Sequence, residues 1–252
     1  MKQIFEIPDN VAIVTGAARG LGKAMAIGLA KAGAAIVATD ILDTSETIKE
    51  IEKLGKKALG LKVDVSKKQD IEKMVQKTLE KFGRIDILVN NAGILRMGNA
   101  EAMEEEDWKK VIQVNLTGQF LCAQAVGKQM IKQKSGKIIN IASIAGLGGY
   151  AQAVSYGASK AGIILMTKSL AVEWGQHNIQ VNVICPGVFA TDMTDNFLKD
   201  KQFIEMIKAK IPLGRYATPE ELIGTVIYLA SKASNYMTGH ALVIDGGWTA
   251  GL

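Results

Sequence analysis

Tyr156 and Lys160 lie four residues apart in Tyr156-Gly157-Ala158-Ser159-Lys160, the interval at which two side chains share one face of a helix. A phenol with an ordinary pKa near ~10 is a poor proton shuttle at neutral pH, and a neighbouring ammonium favours its phenolate form. The pair therefore reads as a general acid/base with its own tuning cation. The same spacing also suits two side chains that only cover apolar surface, so their company has to decide. Ser143, 13 residues before Tyr156, follows the apolar run Gly136 to Ile141 and could bind a substrate oxygen. A serine nucleophile would need a base, and neither His177 nor His240 sits in a nucleophile-elbow setting, which argues against acyl-enzyme hydrolysis. Cys122 and Cys185 have no redox or metal spacing and read as reduced small hydrophobes, so no metal site is expected.

A second constellation stands near the other end of the chain. In Thr15-Gly16-Ala17-Ala18-Arg19-Gly20-Leu21-Gly22, the glycines follow a strand-like run and open a helix-like one. That setting lets backbone N–H groups and a helix's positive end approach a pyrophosphate. The spacing is Gly-x-x-x-Gly-x-Gly and not the general Gly-x-Gly-x-x-Gly, so a turn kept only for tight packing is the alternative. The next strand-like run ends in Asp40, whose carboxylate could accept hydrogen bonds from the adenosine ribose hydroxyls and would repel a 2′-phosphate. This favours NAD over NADP; Arg19 offers some compensation, and a helix cap is the other reading of Asp40. Asp64-Val65 could hold the adenine edge, and Asn90-Asn91-Ala92-Gly93 could form a tight turn against the cofactor, although each segment alone suits an ordinary turn.

These residues need elements to position them. Short β-branched runs (Val11 to Thr15, Ala35 to Asp40, Ala58 to Lys62, Ile87 to Asn90, Gly136 to Ile141, Ile179 to Cys185, Ala241 to Ile244) alternate with helical patterns. The helical stretches are Leu21 to Ala32, Thr44 to Leu54, Lys67 to Phe82, Asp107 to Gln133, Ser155 to Trp174 and Pro219 to Leu229. The strands read as buried on both faces, and right-handed crossovers follow. The pattern predicts an α/β fold: one Rossmann-type doubly wound parallel sheet of about seven strands with helices on both faces, spanning 1–252 as a single domain. Ligands bind such a sheet at the carboxyl ends of its strands, where the winding reverses, and each motif above falls at such an end. The cofactor half is expected over about 1–140 and the catalytic half over about 141–252. Residues 191–210 could form a lid or an ordinary surface helix.

Composition narrows the classes. The 252 residues carry 26 glycines and 4 prolines without repeats or low-complexity stretches. The charge of +5 is spread as lysines alternating with acids, as in Ile48 to Leu54, so neither nucleic acid nor membrane is an expected partner. No signal-like start and no uncharged apolar stretch of 18 residues is present, which predicts a soluble cytoplasmic protein.

Taken in order, Thr15-Gly16-x-x-x-Gly20-x-Gly22, Asp64-Val65, Asn90-Asn91-Ala92-Gly93, Asn115, Ser143, Tyr156-x-x-x-Lys160 and Pro186-Gly187 resemble the short-chain dehydrogenase/reductase family over essentially the whole chain. The resemblance accounts for the glycine spacing. It implies that Tyr156 is the general acid/base, that Lys160 lowers its pKa and holds the nicotinamide ribose, and that Ser143 orients the substrate oxygen. It further implies a proton-relay water at Asn115, and places Gly16, Arg19, Gly20, Leu21, Gly22, Asp40, Asp64, Val65, Asn91, Ala92 and Gly93 on the dinucleotide. Pro186, Gly187, Val188 and Thr191 would line its nicotinamide end.

Within the family, Asn178 to Asn182, Pro186 to Thr191 and Thr238 to Trp248 are most similar to sugar-acid and polyol dehydrogenases. Arg96 then could face a substrate carboxylate, with a solvated surface arginine as the alternative. The small apolar segment Gly146 to Tyr150, with Met193, Phe197 and Phe203, would also suit a cyclic or aliphatic ketone and hence a cyclic alcohol. An NADPH-dependent 3-oxoacyl-carrier-protein reductase is the alternative enzyme, and a non-catalytic nucleotide-binding sensor the remote one. The resemblance also implies a homotetramer that uses the helices over Asp107 to Gln133 and Ser155 to Trp174.

Overall fold

A computed structural model describes residues 2–251. Seven strands form one parallel sheet: β1 (Val11–Thr15), β2 (Ala35–Asp40), β3 (Ala58–Lys62), β4 (Ile87–Asn90), β5 (Gly136–Ile141), β6 (Ile179–Pro186) and β7 (Ala241–Ile244), in the order β3-β2-β1-β4-β5-β6-β7. The winding reverses between β1 and β4, which pair directly (Ala12 with Ile87, Val14 with Val89). The connections after these two strands therefore diverge and leave a crevice at their carboxyl ends.

The strand alternation sorts side chains into two cores. Ala12, Val14, Ile36, Ala38, Val89 and Ile139 pack against Met25 and Leu29 of α1 (Gly20–Lys31) and, further along the chain, Val226 and Leu229 of α8 (Ile223–Ala230). Val11, Ile13, Val37, Leu88, Ile138 and Val181 face the other way. They meet Ile71 and Met74 of α3 (Lys68–Phe82), Val126 and Met130 of α5 (Gly118–Gln133), and Leu170 and Trp174 of α6 (Val154–Trp174). The shorter α2 (Ser45–Lys53), α4 (Glu105–Ile112) and α7 (Lys201–Lys210) complete the set. The helices α1, α3, α5, α6 and α8 cover strand faces that would otherwise meet water, and that burial is the main favourable contribution to the fold.

Three expectations need correction. The edge strands β3 and β7 are not buried on both faces; Gly60 and Lys62 are exposed, because an edge strand has a neighbour on one side only and less helix above it. The helix expected over Asp107 to Gln133 starts at Glu105 and is interrupted by a wide π turn at Gln113–Thr117, which separates α4 from α5. The stretch from Pro219 begins as a tight 3-10 turn, Pro219–Leu222, before α8, where the Thr218–Glu221 capping box closes the start.

The amino end of the sheet is tied by Asp86, which is 7 % exposed. Its Oδ2 accepts from the Val11 N–H at 2.9 Å, and the Arg84 guanidinium grips both carboxylate oxygens at 2.7–3.0 Å. Asp86→Ala leaves the Val11 N–H buried and unpaired, so the urea midpoint is expected to fall with an unchanged slope, by the equivalent of about 1–3 kcal/mol. An unaltered midpoint would mean that the Val11 N–H finds another partner.

Candidate active site

The glycine loop lies between the end of β1 and α1. Gly16 has φ +66°, a left-handed conformation suited to glycine, and a Cβ on Gly22 would fall 1.9 Å from the Gly16 carbonyl oxygen. Both positions therefore need bare backbone, and the loop folds back on the start of the helix without a side chain between. Thr15 and Asn91 clamp it to β4. The Thr15 hydroxyl accepts from the N–H groups of Asn91 and Ala92, while Asn91 Nδ2 donates to the carbonyls of Thr15 and Gly16, all at 3.0 Å. The Asn91 amide thus works on the loop itself, and the Asn91-Ala92-Gly93 backbone forms the facing wall.

Asp40 ends β2 at the same edge. Its Oδ2 accepts from Ala18 N–H at 3.0 Å and its Oδ1 from Leu42 N–H at 3.0 Å, so the carboxylate braces the glycine loop and does not cap α2, whose preceding residue is Thr44. Asp64 accepts from the Ser66 backbone and hydroxyl at 3.0 and 2.6 Å. Burial works against the Asp64 charge, but the Ser66 bonds and Lys67 outweigh it and hold the carboxyl below its usual range.

A cleft of about 680 Å³ opens between these segments. It is lined by the expected Gly16, Arg19, Gly20, Leu21, Gly22, Asp40, Asp64, Val65, Asn91, Ala92, Gly93, Arg96 and Thr191. Pro186, Gly187 and Val188 lie outside this lining, as do Asn115, Ser143, Tyr156 and Lys160. Gly187 packs on Asp245 and bonds the Ile244 carbonyl, while the Val188 carbonyl accepts from Ala217. Sequence reasoning missed Ser66, Lys110, Gln113, Val114 and Asp192, which also line the cleft. Lys110, Gln113 and Val114 share a helical face at intervals of three and four, but only the docking of α4 against Ser66 turns that face inward; Gln113 Nε2 donates to the Ser66 carbonyl at 3.2 Å.

The segment 191–210 contributes Thr191, Asp192 and Met193 to the rim. Asp192 Oδ1 stands 3.6 Å from Arg19 Nη1, so this segment touches the glycine loop. The Phe197 and Phe203 rings pack on each other at 5.5 Å.

At the inner end of the cleft a Cβ on Gly93 would lie 3.7 Å from Lys160 Nζ and 3.3 Å from Asn115 Oδ1. Asn115 is fully buried in the π turn. Its Oδ1 accepts from the Ile94 N–H at 2.8 Å, and its Nδ2 donates to the Ile94 carbonyl at 2.9 Å and to Ser159 Oγ at 3.1 Å. The backbone irregularity and the side chain's position therefore have one cause, since the widened turn carries Asn115 toward the loop after β4. Lys160 Nζ donates to the Ile141 carbonyl at 2.8 Å and stands 5.4 Å from the centre of the Tyr156 ring. Ser143, at the end of β5, accepts from Ala145 N–H at 3.1 Å and faces the phenol.

The electrostatics differ from expectation. Burial pushes the Tyr156 phenol above its ordinary value, and the Ser143 hydroxyl draws only part of that back. Lys160, 3 % exposed, is itself pulled down to about 8 by burial. The expected lowering of the Tyr156 pKa by Lys160 is thus not what this arrangement gives: the ammonium stands 5.4 Å from the ring centre and donates to a backbone carbonyl, and burial raises the phenol.

The loop carrying Arg96 is laced to the segment after Ser143: Gly98 N–H donates to the Gln152 carbonyl at 3.0 Å and Gln152 Nε2 to Asn99 at 3.2 Å. Arg96 is half-exposed, with Nε 3.6 Å from Asp107 Oδ1. Among the described residues there is no group of three or more potential metal ligands, and no helix is long and apolar enough to cross a membrane.

A side-chain-free cradle at a helix start, an acid at the end of the next strand and a cleft of this volume fit a dinucleotide. The family model that matches residues 16–249 is described as enoyl-(acyl carrier protein) reductase. The chain is 42 % identical over 247 residues to the 2-dehydro-3-deoxy-D-gluconate 5-dehydrogenase of Escherichia coli strain K12, covering 98 % of both. It is 45 % identical over 242 residues to a 3-oxoacyl-(acyl-carrier-protein) reductase of a Synechocystis strain, covering 94 % of this chain and 96 % of that relative. The solved gluconate 5-dehydrogenase of Burkholderia cenocepacia J2315, in complex with NADP and tartrate, has a TM-score of 0.95 at 35 % identity, over 100 % of this chain and 99 % of that one. The fold and site define an oxidoreductase that acts on CH–OH groups with a nicotinamide cofactor. The chain belongs to the short-chain dehydrogenase/reductase family.

The Lys160 environment makes a pH prediction. Its folded pKa of about 8 lies below its ordinary 10.5, so between those values the unfolded chain binds more protons and stability rises with pH. Lys137 adds the same sign, being lowered to about 8 by burial as well, so the comparison must be between the protein and Lys160→Met. The urea midpoint of the unliganded protein is expected to climb more steeply than that of the variant from pH 8 toward pH 10. Parallel curves would show that Lys160 keeps its ordinary affinity for the proton.

Proposed function

We propose that this chain, acting as one domain over 1–252, is an NAD(H)-linked dehydrogenase that interconverts a secondary alcohol and a ketone on a sugar acid or polyol. The Tyr156, Lys160 and Ser143 cluster at the inner end of the dinucleotide cleft carries this reading. When bound, the nicotinamide supplies the acceptor or donor of hydride. Tyr156 removes the alcohol proton in oxidation and returns it in reduction, and Ser143 Oγ holds the oxygen whose charge changes. Lys160 is within reach of a sugar at Gly93, and its charge favours the Tyr156 phenolate once substrate and cofactor have changed the surroundings. Asn115 holds the Ile94 backbone beside the ammonium, with a relay water as its proposed further role.

Asp40 supports NAD, because a 2′-phosphate beside this carboxylate would meet like charge while ribose hydroxyls could donate to it. The NADP in the Burkholderia structure is the counterweight, and Arg19 is the cation in this loop that could receive a phosphate. Arg96 supports an acidic substrate, since its loop is tied to the segment after Ser143 and its guanidinium can take a carboxylate in two hydrogen bonds. The Synechocystis relative favours a second reading, NADPH-linked reduction of a 3-oxoacyl thioester.

A homotetramer is also proposed. Leu165 and Val172 on α6 are 67 % and 85 % exposed, and Phe120 on α5 adds a further apolar side chain at the surface. Light scattering is expected to give four times the 27.0 kDa chain mass, and a monomer would end that part of the proposal.

Absorbance of NADH and NADPH across sugar acids, polyols, cyclic alcohols and 3-oxoacyl thioesters tests the activity. NAD-linked turnover of a sugar acid or polyol is expected, Tyr156→Phe should cut kcat by about 10²-fold or more while keeping dinucleotide binding, and Asp40→Asn should narrow the preference for NAD. Thioester reduction with NADPH would select the second reading, and turnover surviving in Tyr156→Phe would remove the assigned acid/base.

A further inference from the structure

A buried polar seam crosses the core behind Lys160, and no step of the proposed chemistry uses it. Gln119, on the first turn of α5 and 2 % exposed, donates from Nε2 to the Ile141 carbonyl at 3.2 Å. That oxygen also accepts from Lys160 Nζ at 2.8 Å. Behind it, Asn90 Nδ2 donates to the Gln119 backbone carbonyl at 3.1 Å and to Asn140 Oδ1 at 3.0 Å, and Asn140 Nδ2 donates to Thr167 Oγ1 at 2.9 Å. The seam thus runs from α6 through β5 and β4 to α5 and returns to α6 at Lys160. Burying several polar side chains in a sheet core is costly unless they are paired, and the Gln119 Oε1 has no partner among the described residues. A leucine or methionine would fill the same space without burying an unpartnered amide oxygen.

We infer that Gln119 is a positioning residue for Lys160: by occupying one side of the Ile141 carbonyl oxygen, it leaves the ammonium the other side and so aims it at Tyr156 and the Gly93 wall. A carbonyl oxygen has two lone pairs, and two N–H donors settle on different ones. Without Gln119, the oxygen can bind the ammonium from either direction and more strongly, because it no longer shares its electron density with a second donor. Lys160 would then lie deeper toward α5, further from the phenol and from the cleft. The titratable groups that face Lys160 are Tyr156 on its own helix and Cys185 on β6, and no carboxylate among the described residues stands within ion-pair distance. From α5 and β5 it meets only the uncharged Ile141 carbonyl and the Gln119 amide behind it.

The inference rests on Tyr156 and Lys160 performing the chemistry. Gln119→Met keeps the volume and removes the donor. In this variant kcat is expected to fall about ten-fold. The basic limb of the kcat/KM profile, where Lys160 loses its proton, should move up by about half a unit because a less shared carbonyl favours the ammonium. Gln119→Glu, which sets a carboxylate across the same carbonyl, should move the limb further in that direction, and it serves alone if Gln119→Met is too unstable to assay. A limb that stays at the wild-type pH in either variant overturns the inference, even if kcat and melting temperature both fall. Tyr156→Phe separates the two readings. If that variant is inactive and the Gln119 limb is unmoved, only the positioning role fails; if it retains turnover, the catalytic assignment fails first.

Discussion

The buried ammonium of Lys160 is the constraint on which the rest of the site depends. A lysine 3 % exposed with no carboxylate beside it among the described residues is an expensive group, and its environment answers the cost with one strong backbone acceptor at 2.8 Å and a π face at 5.4 Å. Both come from elements that cannot yield easily. The Ile141 carbonyl ends β5, which is paired on both sides by β4 and β6, and the Tyr156 ring is one turn away on the same helix. The lysine is therefore held at the carboxyl edge of the sheet, close to where the winding reversal opens the cleft.

The same edge gathers the nucleotide-facing groups, and the hydrogen bonds explain how. Thr15 and Asn91 join the loops after β1 and β4 across the crevice, Asp40 braces the glycine loop from β2, and Asn115 fastens the loop after β4 to the π turn. Each of these side chains bonds to the backbone of a neighbouring segment. The loops of such a site must hold a fixed shape before a ligand arrives, and backbone-directed amides and carboxylates provide that stiffness. The floor of the site is consequently set by main chain, with side chains such as Arg19, Arg96 and Lys110 at its lining.

The phenol and the ammonium illustrate how burial can set aside a pairwise expectation. Spacing alone places a cation beside Tyr156, and a cation favours the phenolate; yet both groups are desolvated, and the desolvation raises the phenol while lowering the lysine. The two shifts move the groups apart in proton affinity, from ordinary values of 10.0 and 10.5 to a phenol raised further and an ammonium lowered to about 8, so burial favours the neutral form of both.

Much of the fold was legible in the chain, because period-two and period-3.6 patterns follow directly from where side chains point on strands and helices. The limits of β1 to β5 and β7 match the apolar runs, and the glycine loop, Asp40, Ser143, Tyr156 and Lys160 all fall at one edge of the sheet as their positions after strands require. Other features depended on tertiary packing. The π turn at Asn115 has no local signal, since its residues suit an ordinary helix and the widening arises where α4 and α5 must meet the loop after β4. Lys110, Gln113 and Val114 became cleft residues only when α4 and the π turn docked, and the packing of Pro186 and Gly187 on β7 and Asp245 and of Val188 on Ala217 was likewise set by tertiary contacts. Proton affinity lay furthest from the sequence: which groups neighbour each other was written in their spacing, whereas the sign of each shift was decided by how completely the assembled fold removed water from them.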